Sequence, residues 1–159
     1  MCSSDLEPVT LDPGSYETGK VSAVCGHAAV TYFETAISLA LEGDIRAVVT
    51  CPINKEAVHA AGFVGDIGHQ EILARTTGSE LTATMLITPG LRVAHLSTHK
   101  SLAEAVAYVK QPILVEKLQL TINCLKSWGI VHPRIAVAAL NPHGGEGGML
   151  GREIGRAHV

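Results

Sequence analysis

The stretch RIAVAALNPHGGEGG, residues 134–148, joins a short apolar run directly to a polar, glycine-rich loop. The run from Arg134 to Leu140 is short and apolar, which predicts a strand covered on both faces by helices. Ligands of open α/β sheets collect beyond the carboxyl ends of the strands. This junction therefore predicts an α/β fold and places a candidate site in the loop from Asn141 to Gly148.

Elements of the same kind occur along the rest of the chain. Apolar residues at three- and four-residue intervals predict a helix from about His27 to Leu41, which Gly43 ends. The run IRAVVT at 45–50 predicts a second buried strand. The order of elements favours a mostly parallel sheet flanked by helices, with one antiparallel pair. The other predicted elements are a helix capped by Asn54 and ending near Ala61, a helix beginning at 71–75, a hairpin of 82–88 and 91–97 around Pro89-Gly90, a short helix at 102–109, and a long helix from Pro112 to about Trp128.

The composition excludes several classes of protein. Hydrophobic residues make up 47% and charged residues 17%, which is typical of a folded domain, while 4% aromatics predict a core built from aliphatic side chains. The net charge of −3 comes without a basic stripe, so we expect no nucleic-acid partner. The cysteines show no paired spacing and predict free thiols. We see no signal peptide and no apolar run of the ~18 residues that a membrane span needs, which predicts a cytoplasmic protein without membrane association.

Both ends of the chain look foreign to the fold. Residues 1–6 (MCSSDL) and 154–159 (IGRAHV) match the translation of a common sequencing adapter. We therefore expect residues 7–153 to be part of an α/β dehydrogenase domain that is incomplete at both ends.

Polar strings follow the predicted strands at the positions where α/β proteins bind ligands. They contain His99, in STHK, and His143, in NPHGG, as candidate metal ligands, although a hydrogen-bonded loop residue is the ordinary role of a lone histidine. A third string, GHQE, opens a helix at Gly68, where free backbone N–H groups favour an anion. Lys55 is a candidate phosphate contact or a solvated lysine, and Glu146 either supports a ligand or caps a turn.

Other chemistries lack their motifs. The glycine loop fails the G-x-G-x-x-G dinucleotide fingerprint, and the chain contains neither a Walker A string nor a G-x-S-x-G nucleophile elbow. ATP-dependent and serine-hydrolase activities are therefore disfavoured, and no residue is identified as a general base.

Four strings together resemble one family. They are CPINKEAVHAAG (51–62), GHQEIL (68–73), LRVAHLSTHKSL (91–102) and PRIAVAALNPHGGEGGMLGRE (133–153). They are similar to the 4-hydroxythreonine-4-phosphate dehydrogenases and their 4-phospho-D-threonate and 4-phospho-D-erythronate dehydrogenase relatives. The resemblance implies an isocitrate/isopropylmalate-dehydrogenase-like fold, a homodimer, NAD or NADP as cofactor, and a divalent metal (Zn, Mg or Co) held by three histidines.

The resemblance also assigns roles to individual residues. His99 matches the T-H histidine and His143 the N-P-H histidine, so both would be metal ligands, with the third ligand outside this chain. His69 and Gln70 match the substrate-contacting residues of the family's G-H-T-E string. Gln70 departs from the usual threonine, which puts the identity or orientation of the substrate in doubt.

The expected activity is metal- and NAD(P)-dependent oxidation of 4-hydroxy-L-threonine phosphate (4-phosphooxy-L-threonine) in pyridoxal phosphate biosynthesis, followed by decarboxylation. An alternative within the family is oxidation of 4-phospho-D-threonate or 4-phospho-D-erythronate in sugar-acid catabolism. Alternatives from other classes are a phosphate-binding acyltransferase that needs no metal, or an inactive fragment. For both dehydrogenase activities the expected partner is a small phosphorylated hydroxy-acid substrate.

Overall fold

The computed structural model describes residues 6–66 and 68–153, and its contacts divide the chain into two units. Unit 1 runs to Thr82 and unit 2 begins at Ala83. The predicted adapter segment 154–159, and all of 1–6 except Leu6, lie outside the described residues.

The first helix of unit 1, α1 (Ala23–Glu42), contains the predicted 27–41 segment and begins about one turn earlier. Its start is set by Ser22, whose side chain accepts a hydrogen bond from the backbone N–H of Cys25. Its end is set by Gly43, which adopts a left-handed conformation with φ 86°. The C-terminal prediction is confirmed, whereas the serine cap was not recognised.

Two shorter helices complete unit 1. α2 (Lys55–Ala60) has the predicted cap, because the Asn54 side chain accepts a hydrogen bond from the Ala57 N–H at 2.9 Å. α3 (His69–Thr77) starts two residues before the predicted segment, so that His69 and Gln70 belong to its first turn.

The core of unit 1 lies between the three helices. α1 contacts both α2 and α3, and its residues Val30 and Ile37 are 0% and 2% exposed. Val58 of α2 and Ile72 of α3 fill the same core, at 0% and 1% exposure. All four are aliphatic, as the low aromatic content predicted. Partly buried residues packed against them are Phe33, Ile53 and Phe63.

By length and composition, α1 could also cross a membrane. This corrects the expectation that no segment of the chain meets that criterion. One such helix is weak evidence for a span, because the core helix of a soluble protein passes the same test. α1 contributes Val30 and Ile37 to a protein core, and its Glu34 forms an ion pair with Arg75.

Unit 2 begins with the predicted hairpin. β1 (Met85–Thr88) and β2 (Leu91–Ala94) are antiparallel, with Met85 opposite Ala94 and Thr88 opposite Leu91. Gly90 supplies the left-handed residue of the turn, at φ 81°. The hairpin prediction is confirmed, with strands shorter than the sequence pattern indicated.

The helices of unit 2 follow the hairpin and agree closely with the prediction. α4 (Leu102–Tyr108) has a capping box formed by Ser101 and Glu104. α5 (Gln111–Ser127) has Pro112 in its first turn, and Gly129 follows it at φ 86°. A short 3-10 turn, Glu146–Gly148, lies in the glycine loop.

The predicted strands at 45–50 and 134–140 are not strands in the part of the chain that the structure describes. There the sheet is the two-stranded β1–β2 hairpin. A strand needs a neighbouring backbone to pair its N–H and C=O groups, and among residues 6–66 and 68–153 neither run pairs with another strand. Val49 is 96% exposed, and the 134–140 run lines an open groove of about 1050 Å³ within unit 2.

A first test concerns the close approach of α2 to α1. A Cβ atom added to Gly26 would overlap the backbone carbonyl of Ala57. We expect Gly26→Ala to destabilise the chain by about 1–3 kcal/mol, measured by denaturant unfolding, because backbone atoms must move to relieve the overlap. Helix propensity alone would instead make the alanine variant about 1 kcal/mol more stable. The sign of the change in unfolding free energy therefore distinguishes steric overlap from helix propensity. Gly65→Ala is the matched control, since a Cβ there meets no atom within 4 Å. An unchanged or raised stability of Gly26→Ala would contradict the packing.

Candidate functional site

His69 and Gln70 lie in the first turn of α3, in unit 1. Gly68 precedes them as the N-cap without a side-chain hydrogen bond. The first N–H groups of a helix have no acceptor within the helix and carry the positive end of its dipole. The local fold thus places both predicted substrate contacts where an anionic group is favoured.

The His69 imidazole packs against α1. Its ring centroid is 5.0 Å from that of Phe33, and the two planes meet at 88°, an edge-to-face contact. His69 is half-buried, so the contact orients the ring while part of the side chain remains accessible.

Gln70 is also held in place. Its Nε2 donates a hydrogen bond to the Thr82 hydroxyl at 3.0 Å. A threonine at position 70, as in the family string, would be too short to reach in this way. The departure from the family pattern therefore brings a local contact as well as a longer side chain.

An ionic cluster that sequence reasoning missed lies beside these residues. Asp66 is 7% exposed, and both of its carboxylate oxygens accept hydrogen bonds from the Arg75 guanidinium, at 2.7, 3.2 and 3.3 Å. Arg75 Nη1 also pairs with Glu34 Oε1 at 2.8 Å, and the guanidinium lies 5.9 Å from the Phe63 ring centroid. The hydrogen bonds to Asp66, and then to Glu34, raise the pKa of Arg75 above its ordinary value. We call Asp66, Arg75 and Glu34 the arginine clamp.

His99 lies between β2 and α4 in unit 2. It is exposed and adopts a left-handed backbone conformation with φ 53°, which is uncommon for a residue other than glycine. Nearby contacts fix the start of α4. The Ser101 hydroxyl and backbone N–H both donate to Glu104, at 2.7 and 2.9 Å, and Lys100 Nζ lies 4.7 Å from the Tyr108 ring centroid. The side-chain hydrogen bond from Ser101, followed by its backbone hydrogen bond, lowers the pKa of Glu104.

His143 is exposed in the glycine loop of unit 2. Asn141 organises this loop: its Oδ1 accepts from the His143 N–H at 3.0 Å, and its Nδ2 donates to the Leu150 carbonyl at 2.9 Å. Glu146 adopts a left-handed conformation with φ 43° and donates its N–H to the His143 carbonyl. Its backbone therefore takes part in the turn, while its ligand-supporting role stays a prediction.

The described residues do not complete a metal site. Within 6–66 and 68–153 there is no group of three His, Cys, Asp or Glu residues that could hold an ion. His99 and His143 offer two accessible imidazoles, which suit a divalent metal such as Zn, but a catalytic site needs about three protein ligands. The two histidines remain candidate ligands. Lys55 is exposed at the start of α2, and its contact with a phosphate is likewise a prediction.

The comparison with known proteins gives these strings a context. Residues 3–156 match a family model described as "Pyridoxal phosphate biosynthetic protein PdxA". The chain belongs to this family. The resemblance drawn from the four strings is thereby confirmed. The matched range reaches into both predicted adapter segments.

Individual relatives carry two kinds of name. A 4-hydroxythreonine-4-phosphate dehydrogenase of Beijerinckia indica is 47% identical over 135 residues, which cover 85% of this chain and 40% of the relative. A D-threonate 4-phosphate dehydrogenase of Salmonella typhimurium is 42% identical over 147 residues, covering 92% of this chain and 44% of the relative. The chain thus spans about two fifths of the length of these curated relatives.

A solved structure supports the fold class. The crystal structure of a 4-hydroxythreonine-4-phosphate dehydrogenase from Klebsiella pneumoniae aligns with a TM-score of 0.78 at 40% identity, over 89% of this chain and 43% of that one. The prediction of an α/β fold is confirmed by this similarity.

A second test concerns the start of α4. We expect an NMR titration to give a Glu104 pKa below its ordinary value, and Ser101→Ala to return it toward that value by removing the hydroxyl donor. Because the folded-state pKa is the lower one, the carboxylate stabilises α4 above the unfolded-state pKa, and this stability is lost as the pH falls through the folded-state value. Ser127→Ala is a control, since its hydroxyl donates to Cys124 on α5. An ordinary Glu104 pKa in the unsubstituted chain would contradict the capping box.

Proposed function

We propose that a full-length protein carrying this segment is an NAD- or NADP-dependent dehydrogenase of a small phosphorylated hydroxy acid. The observation that carries the proposal is the family match over residues 3–156, in which the GHQE, STHK and NPH strings occur in one chain. The names of the relatives support a dehydrogenase acting on a 4-phosphorylated C4 acid.

The first proposed substrate is 4-hydroxy-L-threonine phosphate, with pyridoxal phosphate biosynthesis as the pathway. A secondary alcohol would give a hydride to the nicotinamide and a proton to a base, and the resulting β-keto acid would lose carbon dioxide. D-threonate 4-phosphate is the second candidate, and the similarity to the Salmonella typhimurium relative and the Gln70 substitution favour it. The two substrates differ in whether an amino or a hydroxyl group sits beside the carboxylate.

Some residues of this chain would bind the substrate, and others would coordinate the metal. His69 would donate a hydrogen bond to the substrate from the start of α3, where the helix dipole also favours its anionic groups. His99 and His143 would supply two imidazoles to a divalent metal, which when bound polarises the substrate hydroxyl. The proposal includes a cytoplasmic homodimer that binds neither nucleic acid nor membrane. Within the described residues 6–66 and 68–153 no group of three His, Cys, Asp or Glu residues could hold the metal, so we expect the 159 residues alone to show no turnover.

The substrate assignment is tested by assaying the full-length protein on both acids with NAD and with NADP. We expect reduction of the nicotinamide with one acid, with kcat/KM favouring it by about tenfold or more, and loss of activity after chelation of the metal. Activity that survives chelation, or phosphate-dependent acyl transfer without nicotinamide reduction, would support the acyltransferase alternative instead.

The residue roles are tested by single substitutions in the same protein. We expect His99→Ala and His143→Ala each to lower bound metal, measured by elemental analysis, and to reduce kcat by about 100-fold or more. His69→Ala should instead raise KM by about 10–100-fold, the equivalent of one charge-assisted hydrogen bond. His59→Ala, on the exposed face of α2, is the matched control. An unchanged KM in His69→Ala would contradict its assignment.

A further inference from the structure

Among the described residues, Asp66 is a charged residue that is buried, and it has no role in the proposed reaction. Burying a carboxylate is costly unless a partner satisfies it. The planar fork of Arg75 does so with hydrogen bonds to both oxygens, the geometry that arginine favours. Asp66 lies three residues before His69 in the sequence, so its anchor acts on the segment that leads into α3.

The other half of the arginine clamp is formed by Arg75, which follows His69 in the sequence, and Glu34. Arg75 belongs to α3, and its Nη1 pairs with Glu34 of α1. The neighbour of Glu34 in α1 is Phe33, the residue that packs against the His69 ring. α1 therefore holds α3 at two points, by an aromatic contact at His69 and by an ion pair at Arg75.

From this arrangement we propose that Asp66 and Arg75 are positioning residues. They hold the start of α3 in the orientation in which His69 and Gln70 bind the phosphorylated substrate. The inference deepens the proposed function and rests on it. Neither residue of the pair needs to touch the substrate. They tie Asp66, which precedes His69, to Arg75 on the helix that His69 begins.

A purely structural ion pair would affect the stability of the protein and leave KM for the substrate unchanged. A buried pair often contributes little net stability, and an exposed one contributes about 0–1 kcal/mol. Lysine at position 75 would keep the positive charge but lacks the fork that spans both oxygens of Asp66 and reaches Glu34. Arg75→Lys therefore separates the charge of Arg75 from its geometry.

The decisive experiment measures KM and kcat for Arg75→Lys and Asp66→Asn in the full-length protein. We expect KM for the phosphorylated acid to rise about 10–100-fold, with kcat within about threefold, because substrate binding and not chemistry depends on the pair. The double variant should resemble the single ones, since each removes the same clamp. Lys20→Ala, which removes the exposed ion pair with Glu17, is the control. An unchanged KM in folded variants overturns the proposal, and so does a fall in kcat with KM unchanged.

Two further measurements cover the other outcomes. If Asp66→Asn does not fold, Glu34→Gln keeps the size of a partly exposed residue while removing its charge, and it should raise KM about threefold or more. If the unsubstituted protein oxidises neither acid, the proposed function fails, and the clamp is judged by the NMR signal of the His69 ring, which lies against Phe33. That signal should shift in Arg75→Lys but not in Lys20→Ala, and an unmoved signal overturns the positioning role.

Discussion

The packing of α1 against α2 and α3 determines where the residues of the candidate substrate site lie. Gly26 lets the backbone of α2 come close to α1, and Val30 and Ile37 then fill the space between the helices. Each buried aliphatic side chain contributes about 1.5–3 kcal/mol, whereas a partly exposed ion pair contributes about 1 kcal/mol or less. The aliphatic core therefore sets the position of α3, and the arginine clamp only refines its orientation. On the same helix, Phe33 packs against His69 and Glu34 pairs with Arg75, so the position of α1 also determines where these two residues of α3 lie.

The elements that the sequence predicted correctly are those with local signals. Asn54 caps α2, Gly43 ends α1, and Pro89-Gly90 turns the hairpin, each through contacts with residues a few positions away. The runs at 45–50 and 134–140 have the composition of strands, but a strand also needs a neighbour far away in the sequence. The described residues provide none, so the composition alone gave the wrong local structure there.

In the candidate site, too, features with a local sequence signal were predicted and contacts between distant residues were not. The strings around His69, His99 and His143 were recognisable because each is a short motif, and the family that they indicated was confirmed. The pairing of Asp66 with Arg75 was not predictable, because no helix or strand spacing connects positions nine residues apart across a loop. The left-handed backbone of His99 was also missed, since histidine adopts it uncommonly and no turn residue announces it.

The two groups of candidate residues differ in what supports them. In unit 1, His69 and Gln70 each have a described side-chain partner, and the arginine clamp links α1 and α3 next to the three-helix core. In unit 2, His99 and His143 lie on exposed loops, and the described residues around them do not form a set of three ligands. Two imidazoles fall one short of the usual catalytic shell, so a metal would need a further protein ligand for the usual affinity and geometry. The orientation of the candidate substrate contacts His69 and Gln70 is thus determined within unit 1, whereas a metal site would depend on at least one ligand that the described residues do not supply.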